Sequence, residues 1–516
     1  MHQYQGTSVQ FLLDNPFSAL FIDCGMGKTV ISLTTILELV KLFQTTYTLI
    51  IAPVRVANET WPTEIAEWQH TAPLSYAHIR DADLTERVNA AGDIERKTIL
   101  AEAKARLEKA GKTAKEIKAD LSELRKADLT IAAVEDARLA ESKLAVRDFM
   151  KRAKATIHII NREQVEFLVN AWGRDWPYDT VFIDESSAFK DHTTKRFEAL
   201  KRVRPLMKRL HELTATPVAE SYLHLFAQIY LLDRGERLGR NITAYRNEYF
   251  THNEYTRTYT LREGAKEKIT AKISDICLVM RAEDYLDMEH PTFVKDKIEL
   301  SAEERKMYDE MEQQFAVTLA DGHEVVAETA AAKSQKLQQI ASGVVYETIL
   351  TPDEYGEHIK SRVVHHIHDH KIDKLRQIRE DSEGEPLLVA YILKSSLERI
   401  KKAFPKAVVM DSQGKCIPDW NKGKIDMLLF SPKGAAHGLN LQHGGRRMVF
   451  FDIPWSLELF YQAWKRLARQ GQKLAVIVHL LLVNNSIDEE IADALTDKDM
   501  TQEEFFRLVK RMQKKY

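Results

Sequence analysis

The sequence predicts an α/β protein in which two blocks of parallel sheet flank a helical middle. Three observations carry this. Short apolar runs with the length of buried strands recur towards both ends of the chain and alternate with helical segments. Between about 218 and 380 that alternation gives way to mostly helical texture. A chain of 516 residues is also long enough for two to four domains, each with its own core.

The first block opens with FSALFID (17–23), a short strand, then KTVISLTTILELVKLF (28–43), an amphipathic helix, and YTLIIAP (47–53), a second buried strand. A helix is expected around 60–69. The texture then changes: residues 92–153 are rich in Ala, Lys, Glu, Arg and Leu, with no aromatic residue before Phe149. Leu100, Ala103, Leu107 and Ala110 step by three, four and three, and Ile117, Leu121 and Leu124 continue after a break at Gly111. This narrow seam predicts a helical hairpin inserted into the first block, with a charged disordered linker as the alternative.

Strand texture returns with ATIHII (155–160), YDTVFID (178–184) and LHELTATP (210–217). After the middle come PLLVAYI (386–392), AVVMD (407–411), KIDMLLFS (424–431), RRMVFFDIP (446–454) and KLAVIVHLLLV (473–483), again separated by helical segments. We therefore expect a first lobe over 1–217 with its insertion at about 92–153, and a mostly helical region over 218–380. A second lobe over 381–495 and a helical tail over 496–516 complete the chain. Parallel sheets of this kind take ligands at the carboxyl ends of their strands.

Composition narrows the class. With 44% apolar and 29% charged residues the chain is ordinary for a soluble globular protein. No apolar run reaches the roughly 18 residues of a membrane span, and MHQYQGTSVQ at the N-terminus lacks the layout of a signal peptide. Cys24, Cys277 and Cys416 have no metal or redox spacing, so a reduced, cytoplasmic protein without a membrane partner is expected. The net charge of −2 speaks against an all-basic coat but leaves room for a local basic groove, since phosphate contacts need only a handful of cations.

Three constellations carry chemistry. In FIDCGMGKTVIS (21–32) a strand runs into glycines and then a helix, a ready anion cradle. Lys28 would neutralise β- and γ-phosphates, and the Thr29 hydroxyl would bind Mg²⁺. The longer phosphate-loop pattern wants glycine at position 22, where Ile22 stands, and a plain glycine turn capping a helix is the competing reading. In VFIDE (181–185) a strand ends in two acids: Asp184 suits the metal, and Glu185 suits orienting or deprotonating a water. In QAWKRLARQGQ (462–472), Gln462, Arg466 and Arg469 would share one stripe of a helix, against the alternative of a solvated basic helix. Arginines from the second block could complete a phosphate site only when the two blocks close.

Together these residues resemble the Swi/Snf type of superfamily-two helicase, and among them the compact phage-borne members. Tyr4-Gln5 resembles the upstream glutamine motif that reads adenine, and DCGMGKT (23–29) the family's motif I, which does not need the earlier glycine. IAPVRVANETW (51–61) is similar to motif Ia, with Trp61, Glu64 and Trp68 at the family spacing. INREQV (160–165), DESS (184–187) and LTATP (213–217) follow in the family's order. SPKGAAHGLNL (431–441) resembles motif V, FFDIPWSLELFYQAWKRLARQGQ (450–472) covers motif VI, and HLLLVNNSIDEEI (479–491) is also family-like. Two departures stand out: Ser186-Ser187 replaces the histidine-containing end of motif II, and Ala435 and Ala436, beside His437, stand where glycines are usual.

The resemblance implies two RecA-like lobes with helical insertions, gripping double-stranded DNA and moving along it through ATP-driven closure. It implies Gln5, Gly25, Met26, Gly27, Lys28 and Thr29 around ATP, and Mg²⁺ on Thr29 and Asp184. Glu185, Gln462, Arg466 and Arg469 would be the catalytic set, with Thr214 and Thr216 linking nucleotide state to DNA grip. A strand-separating DNA or RNA helicase and a nucleotide-gated binding protein remain alternatives. The insertion could receive a protein partner, and a phage-encoded copy would work in the host cytoplasm. His365, His366, His368 and His370 are read as a segment entering the second lobe rather than a metal site. Cys24 is read as a small filler, Trp455 and Trp464 as core packing, and the tail 510–516 as a frayed basic end.

Overall fold

The computed structural model describes residues 1–79, 82–255, 257–286, 289–318, 324–327, 329–352, 358–411, 414–433 and 440–512. Six strands of the N-terminal part are β1 (Phe17–Ile22), β2 (Thr48–Ala52), β3 (Tyr76–His78), β4 (Ile157–Asn161), β5 (Thr180–Asp184) and β6 (Arg209–Thr214). A small antiparallel pair, β7 (Phe250–Asn253) and β8 (Thr258–Leu261), precedes β9 (Cys277–Met280). The first sheet runs β3-β4-β2-β5-β6-β1-β9, every neighbour parallel. Along β1, Ala19 and Phe21 join one hydrophobic cluster while Leu20 and Ile22 join another on the opposite face. Coverage on both faces is why these strands read as continuous apolar runs.

The helices of this lobe begin with α1 (Gln3–Asp14), α2 (Lys28–Lys41) and α3 (Trp61–Glu67). The insertion forms three helices, α4 (Ala82–Lys109), α5 (Ala114–Lys126) and α6 (Asp128–Ala153), in place of the expected hairpin. Gly111, at φ +73°, turns the chain after α4, and Thr113 with Glu116 forms a capping box that starts a separate α5. Packing of α4 on α6 restores the hairpin geometry, with Arg87 reaching Glu141 at 2.7 Å and Asp148 at 3.5 Å. The insertion leaves after edge strand β3 and returns at its neighbour β4, so it grows from the rim without disturbing the sheet.

The second sheet is built from β10 (Thr292–Ile298) and, after two antiparallel pairs, five later strands. The pairs are β11 (Ala316–Thr318) with β12 (Glu324–Val326), and β13 (Val344–Pro352) with β14 (His358–His366). The later strands are β15 (Leu387–Ala390), β16 (Val408–Val409), β17 (Met427–Phe430), β18 (Arg447–Phe450) and β19 (Ile477–Val483). Their order is β10-β19-β18-β15-β17-β16, again all parallel. The α/β class with two parallel-sheet lobes is therefore the observed architecture. Among the described residues no helix is long and apolar enough to cross a membrane.

The middle region differs from the expected helical 218–380. It carries β7 to β14, and its ends belong to the two sheets: β9 pairs with β1, and β10 pairs with β19 from Thr292↔Ile477 to Ile298↔Val483. The chain thus passes between sheets across 281–291 rather than at 217 and 381. β9 is short and lies between two helices, Ala265–Ile273 and Ala282–Tyr285, so its apolar run does not stand apart from the helical texture around it. β10 is an edge strand whose residues before Ile298 are exposed or half-buried, so it lacks the apolar signature. The tail expected at 496–516 is the far part of one helix, Ile487–Met512. Its start (Ile487, Ile491, Leu495) packs into the second lobe's core and its end (Phe505, Phe506, Val509) into the first's.

This helix is anchored by a buried ion pair. Lys371 and Asp488, both with fully buried side chains, stand 2.8 Å apart. Removing one partner would strand a charge in the core, which typically costs about 3–5 kcal/mol. Lys371→Ala is therefore expected to destabilise the second lobe by that order in urea unfolding followed through buried Trp420; an unchanged midpoint would count against the pair as an anchor.

Candidate active site

Strand β1 ends at Ile22, and Gly25 and Gly27 both take φ +84°. These left-handed positions fold the chain back so that α2 begins at Lys28 with Gly27 as its N-cap. The first turn of α2 thereby offers N–H groups without helical partners, and Gly25, Gly27, Lys28 and Thr29 line a cleft of about 350 Å³. The Lys28 ammonium donates to the carbonyls of Ile22 at 2.9 Å and Asp23 at 3.4 Å, curled against its own loop. Ile22 itself is a fully buried strand residue, a position with no use for glycine.

Gln5 supports this loop from α1. Its side-chain oxygen accepts the His2 N–H at 2.8 Å, and its amide donates to the Met26 carbonyl at 3.2 Å. Tyr4 donates its hydroxyl to the same carbonyl at 3.1 Å. Met26 is thus held by its backbone while its side chain is buried in the first lobe's core, outside the cleft lining.

The opposite part of the same wall is the end of β5. Asp184 accepts from the Trp61 indole at 3.0 Å, which explains the placing of Trp61 at the start of α3. Glu185 takes φ +54°, a costly conformation for a residue with a side chain, and turns the chain into the short helical turn Ser186–Phe189. Both carboxylates are buried, and burial raises both above the usual carboxylate range, with the Lys28 ammonium opposing. Asp184 and Glu458 push Glu185 further up, and Arg466 pulls it down. Glu185 Oε2 is buried without a hydrogen-bond partner among the described residues. Two carboxylates and the Thr29 hydroxyl form a set of hard oxygen donors, which fits a small divalent cation.

The second lobe closes the cleft with Asn440, Gln442, Arg466, Arg469 and Gln470. The helix carrying Gln462 ends at Trp464, so the expected stripe of three on one helix is not formed. Beyond it Arg466 N bonds to Ala463 O and Leu467 N to Trp464 O, a tightened i to i−3 pattern, and the chain turns out at Gly471, φ +95°. This turn delivers Arg466 and Arg469 to the cleft and leaves Gln462 behind, donating to Glu458 at 3.4 Å. A side chain at position 25 would lie 3.0 Å from Arg469 Nε, so glycine there admits the guanidinium. Arg469 also donates to Asn440 Oδ1 at 2.5 Å. Burial lowers the pKa of both arginines, and in Arg466 the neighbouring Arg469 lowers it further.

Behind the loop, Asp23 ties the lobes together. It accepts from Ala282 N at 3.0 Å and, across the seam, from Tyr461 Oη at 3.1 Å and Lys465 Nζ at 3.4 Å. Burial alone would raise its pKa, but Lys465, these donors and Arg281 outweigh it and hold the carboxyl below the usual range. Tyr461, Lys465 and Asn440 were not singled out from sequence, although all three stand inside the quoted motif V and VI stretches.

Other candidates fall elsewhere. Thr214 and Thr216 are buried and bonded to each other, Thr216 N to Thr214 Oγ1 at 3.1 Å, away from the cleft lining. Trp464 packs edge-on against Phe293 and Tyr461 as expected, whereas Trp455 is 43% exposed and does not. His365, His366 and His370 pair with Glu347, Asp369 and Glu304, His368 bonds to the Ile340 carbonyl, and no cluster of three or more His, Cys, Asp or Glu that could hold a metal occurs among the described residues. Ala435, Ala436 and His437, and residues 513–516 of the tail, lie outside the described residues.

A family model for the SNF2-related domain matches residues 4–344. Protein p41 of Acyrthosiphon pisum secondary endosymbiont phage 1 is 31% identical over 526 aligned positions, covering 98% of each chain. The RAD54-like DNA repair and recombination protein of Drosophila erecta is 23% identical over 352 positions, which cover 62% of this chain and 44% of the fly protein. The Sulfolobus solfataricus SWI2/SNF2 ATPase core in complex with dsDNA aligns over 98% of this chain and 94% of its own, with 17% identity and a TM-score of 0.39.

The Asp23 contacts yield a test. Asp23→Ala leaves the buried Lys465 ammonium without its partner, at a cost of about 3 kcal/mol. The expected result is a lower melting temperature with the lobes unfolding in two resolved transitions. An unaltered melting profile would remove Asp23 from the seam's energetics.

Proposed function

The chain belongs to the SNF2-related domain family, and from that premise we propose that it is a DNA-dependent ATPase that translocates on double-stranded DNA as its two lobes close and open. The observation that carries the ATPase reading is the split cleft. A phosphate-loop lysine and paired acids come from one lobe and two arginines from the other.

In this reading the N-terminus of α2 and the Lys28 ammonium receive the phosphates, and Lys28 gives up its contacts with Ile22 and Asp23 to do so. Asp184 and the Thr29 hydroxyl would hold Mg²⁺, which when bound neutralises phosphate charge. Glu185, with an oxygen that has no hydrogen-bond partner among the described residues, orients the attacking water and accepts its proton. Arg466 and Arg469 stabilise the charge on the transferring phosphoryl group, and they reach it only from the closed arrangement. Gln5 acts by bracing the loop at Met26, and Gln462 acts outside the cleft.

A second cavity supports the nucleic-acid partner. It measures about 570 Å³ and opens beyond the carboxyl ends of β15, β17 and β18. Among the described residues its charged lining is Lys336, Arg362 and Lys433, with no carboxylate, and exposed Trp455 stands beside them. Cations without acids next to an exposed indole suit a phosphate backbone and its bases. On the insertion, exposed Leu129 and Ile94 leave apolar surface for a protein partner.

Turnover of ATP is expected to rise strongly with duplex DNA. Stimulation confined to single strands or RNA would favour a strand-separating helicase, and indifference to every nucleic acid a nucleotide-gated binder. Glu185→Gln is expected to bind ATP normally while hydrolysis nearly vanishes; full turnover would exclude Glu185 as the base. Alanine at Lys336, Arg362 or Lys433 is expected to weaken DNA binding irrespective of sequence. Each should reduce the slope of log affinity against log salt by about 1, and an unchanged slope would take DNA away from this cavity.

A further inference from the structure

The two serines after the paired acids face different lobes. Ser186 Oγ donates to Gln228 Oε1 at 3.3 Å, and the Gln228 amide donates to the carbonyls of Pro217 at 3.0 Å and His224 at 3.1 Å. Ser186 is therefore tied within the first lobe. Ser187 Oγ instead donates at 3.0 Å to Glu458 Oε1, in the first turn of the second-lobe helix Leu457–Trp464. The same oxygen accepts from Gln462 Nε2 at 3.4 Å.

Glu458 thus joins the strand end bearing Asp184 and Glu185 to the helix that leads into the arginine turn. Glu185, in its left-handed conformation, is separated from Ser187 by one buried residue of a tight turn, so the position of Ser187 sets that of Glu185. Neither Glu458 nor Gln462 lines the cleft, so this link can act on the water-activating side chain without touching nucleotide. A hydrogen bond of this length is lost when donor and acceptor separate by about 1 Å, so any opening of the lobes breaks it.

We propose that Glu458 is a positioning residue for ATP hydrolysis: it accepts from Ser187 across the seam only when the lobes are closed, and so holds Glu185 in place for the attacking water. This rests on the ATPase reading. Both donors converge on one oxygen, so what position 458 must supply is an acceptor, and glutamine also supplies one.

The test is steady-state ATP turnover at saturating duplex DNA for Glu458→Ala, Glu458→Gln, Ser187→Ala and the double variant S187A/E458A. Glu458→Ala and Ser187→Ala are each expected to lower kcat about tenfold to a hundredfold, with KM for ATP unchanged within about twofold. Glu458→Gln should recover most of the wild-type kcat, and the double variant should be no slower than the slower single. The proposal is overturned if Glu458→Ala keeps kcat, if KM rises in step with the fall in kcat, if glutamine fails to rescue, or if the two losses multiply. Should Glu458→Ala fold poorly, Ser187→Ala, which removes one oxygen, carries the same comparison. A wild type that hydrolyses no ATP overturns the ATPase reading and this proposal with it. An active wild type with an indifferent Ser187→Ala overturns this proposal alone.

Discussion

A carboxylate buried as deeply as Asp23 persists in charged form only where donors surround it, and its donors come from both lobes. Asp23 lies between the end of β1 and the glycine turn. Tyr461 and Lys465 lie at the point where the second-lobe helix gives way to the arginine turn. The requirement to satisfy one charge therefore sets the glycine loop before α2 and the arginines face to face. The remaining cleft geometry, from Arg469 beside Gly25 to Arg466 near Glu185, follows from that registration.

Parallel strands make the arrangement possible. Every strand of each sheet ends on the same side, so the loops after β1 and β5 share one rim in the first lobe, and those after β15, β17 and β18 share one rim in the second. The helix Ile487–Met512 starts in one core and ends in the other, with Lys266, Arg281 and Asp284 of the first lobe pairing to Glu504, Glu503 and Lys510 along it. A rotation between the lobes must strain or shift this strut. The closure proposed above would accordingly be a change between two packed arrangements rather than a loose hinge.

Much of the fold was legible because central parallel strands are covered on both faces and read as short apolar runs. β1, β2, β5, β15, β18 and β19 are of this kind. β9 and β10 were not legible: one is a brief apolar run set between two helices and the other is an exposed edge, and together they move the crossing between lobes to 281–291. In the site, Lys28, Thr29, Asp184 and Glu185 were readable because each sits at a strand end or helix start with a fixed local geometry. Gln462, Arg466 and Arg469 were misread as one helical stripe, since a spacing of four and three is equally compatible with a helix that stops at Trp464 and tightens.

By itself the sequence determined the two parallel sheets, the glycine turn into α2 and the acids after β5, because these depend on contacts between near neighbours in the chain and on burial patterns with a period. The tertiary structure alone decided that Arg466 and Arg469 enter the cleft while Gln462 stays out. It also decided that Asp23 is matched by Tyr461 and Lys465, and that Ser187 finds Glu458. These contacts join residues more than 250 positions apart. No local propensity encodes them; they arise only when two separately folded cores dock and each buried polar group at the seam must find a partner.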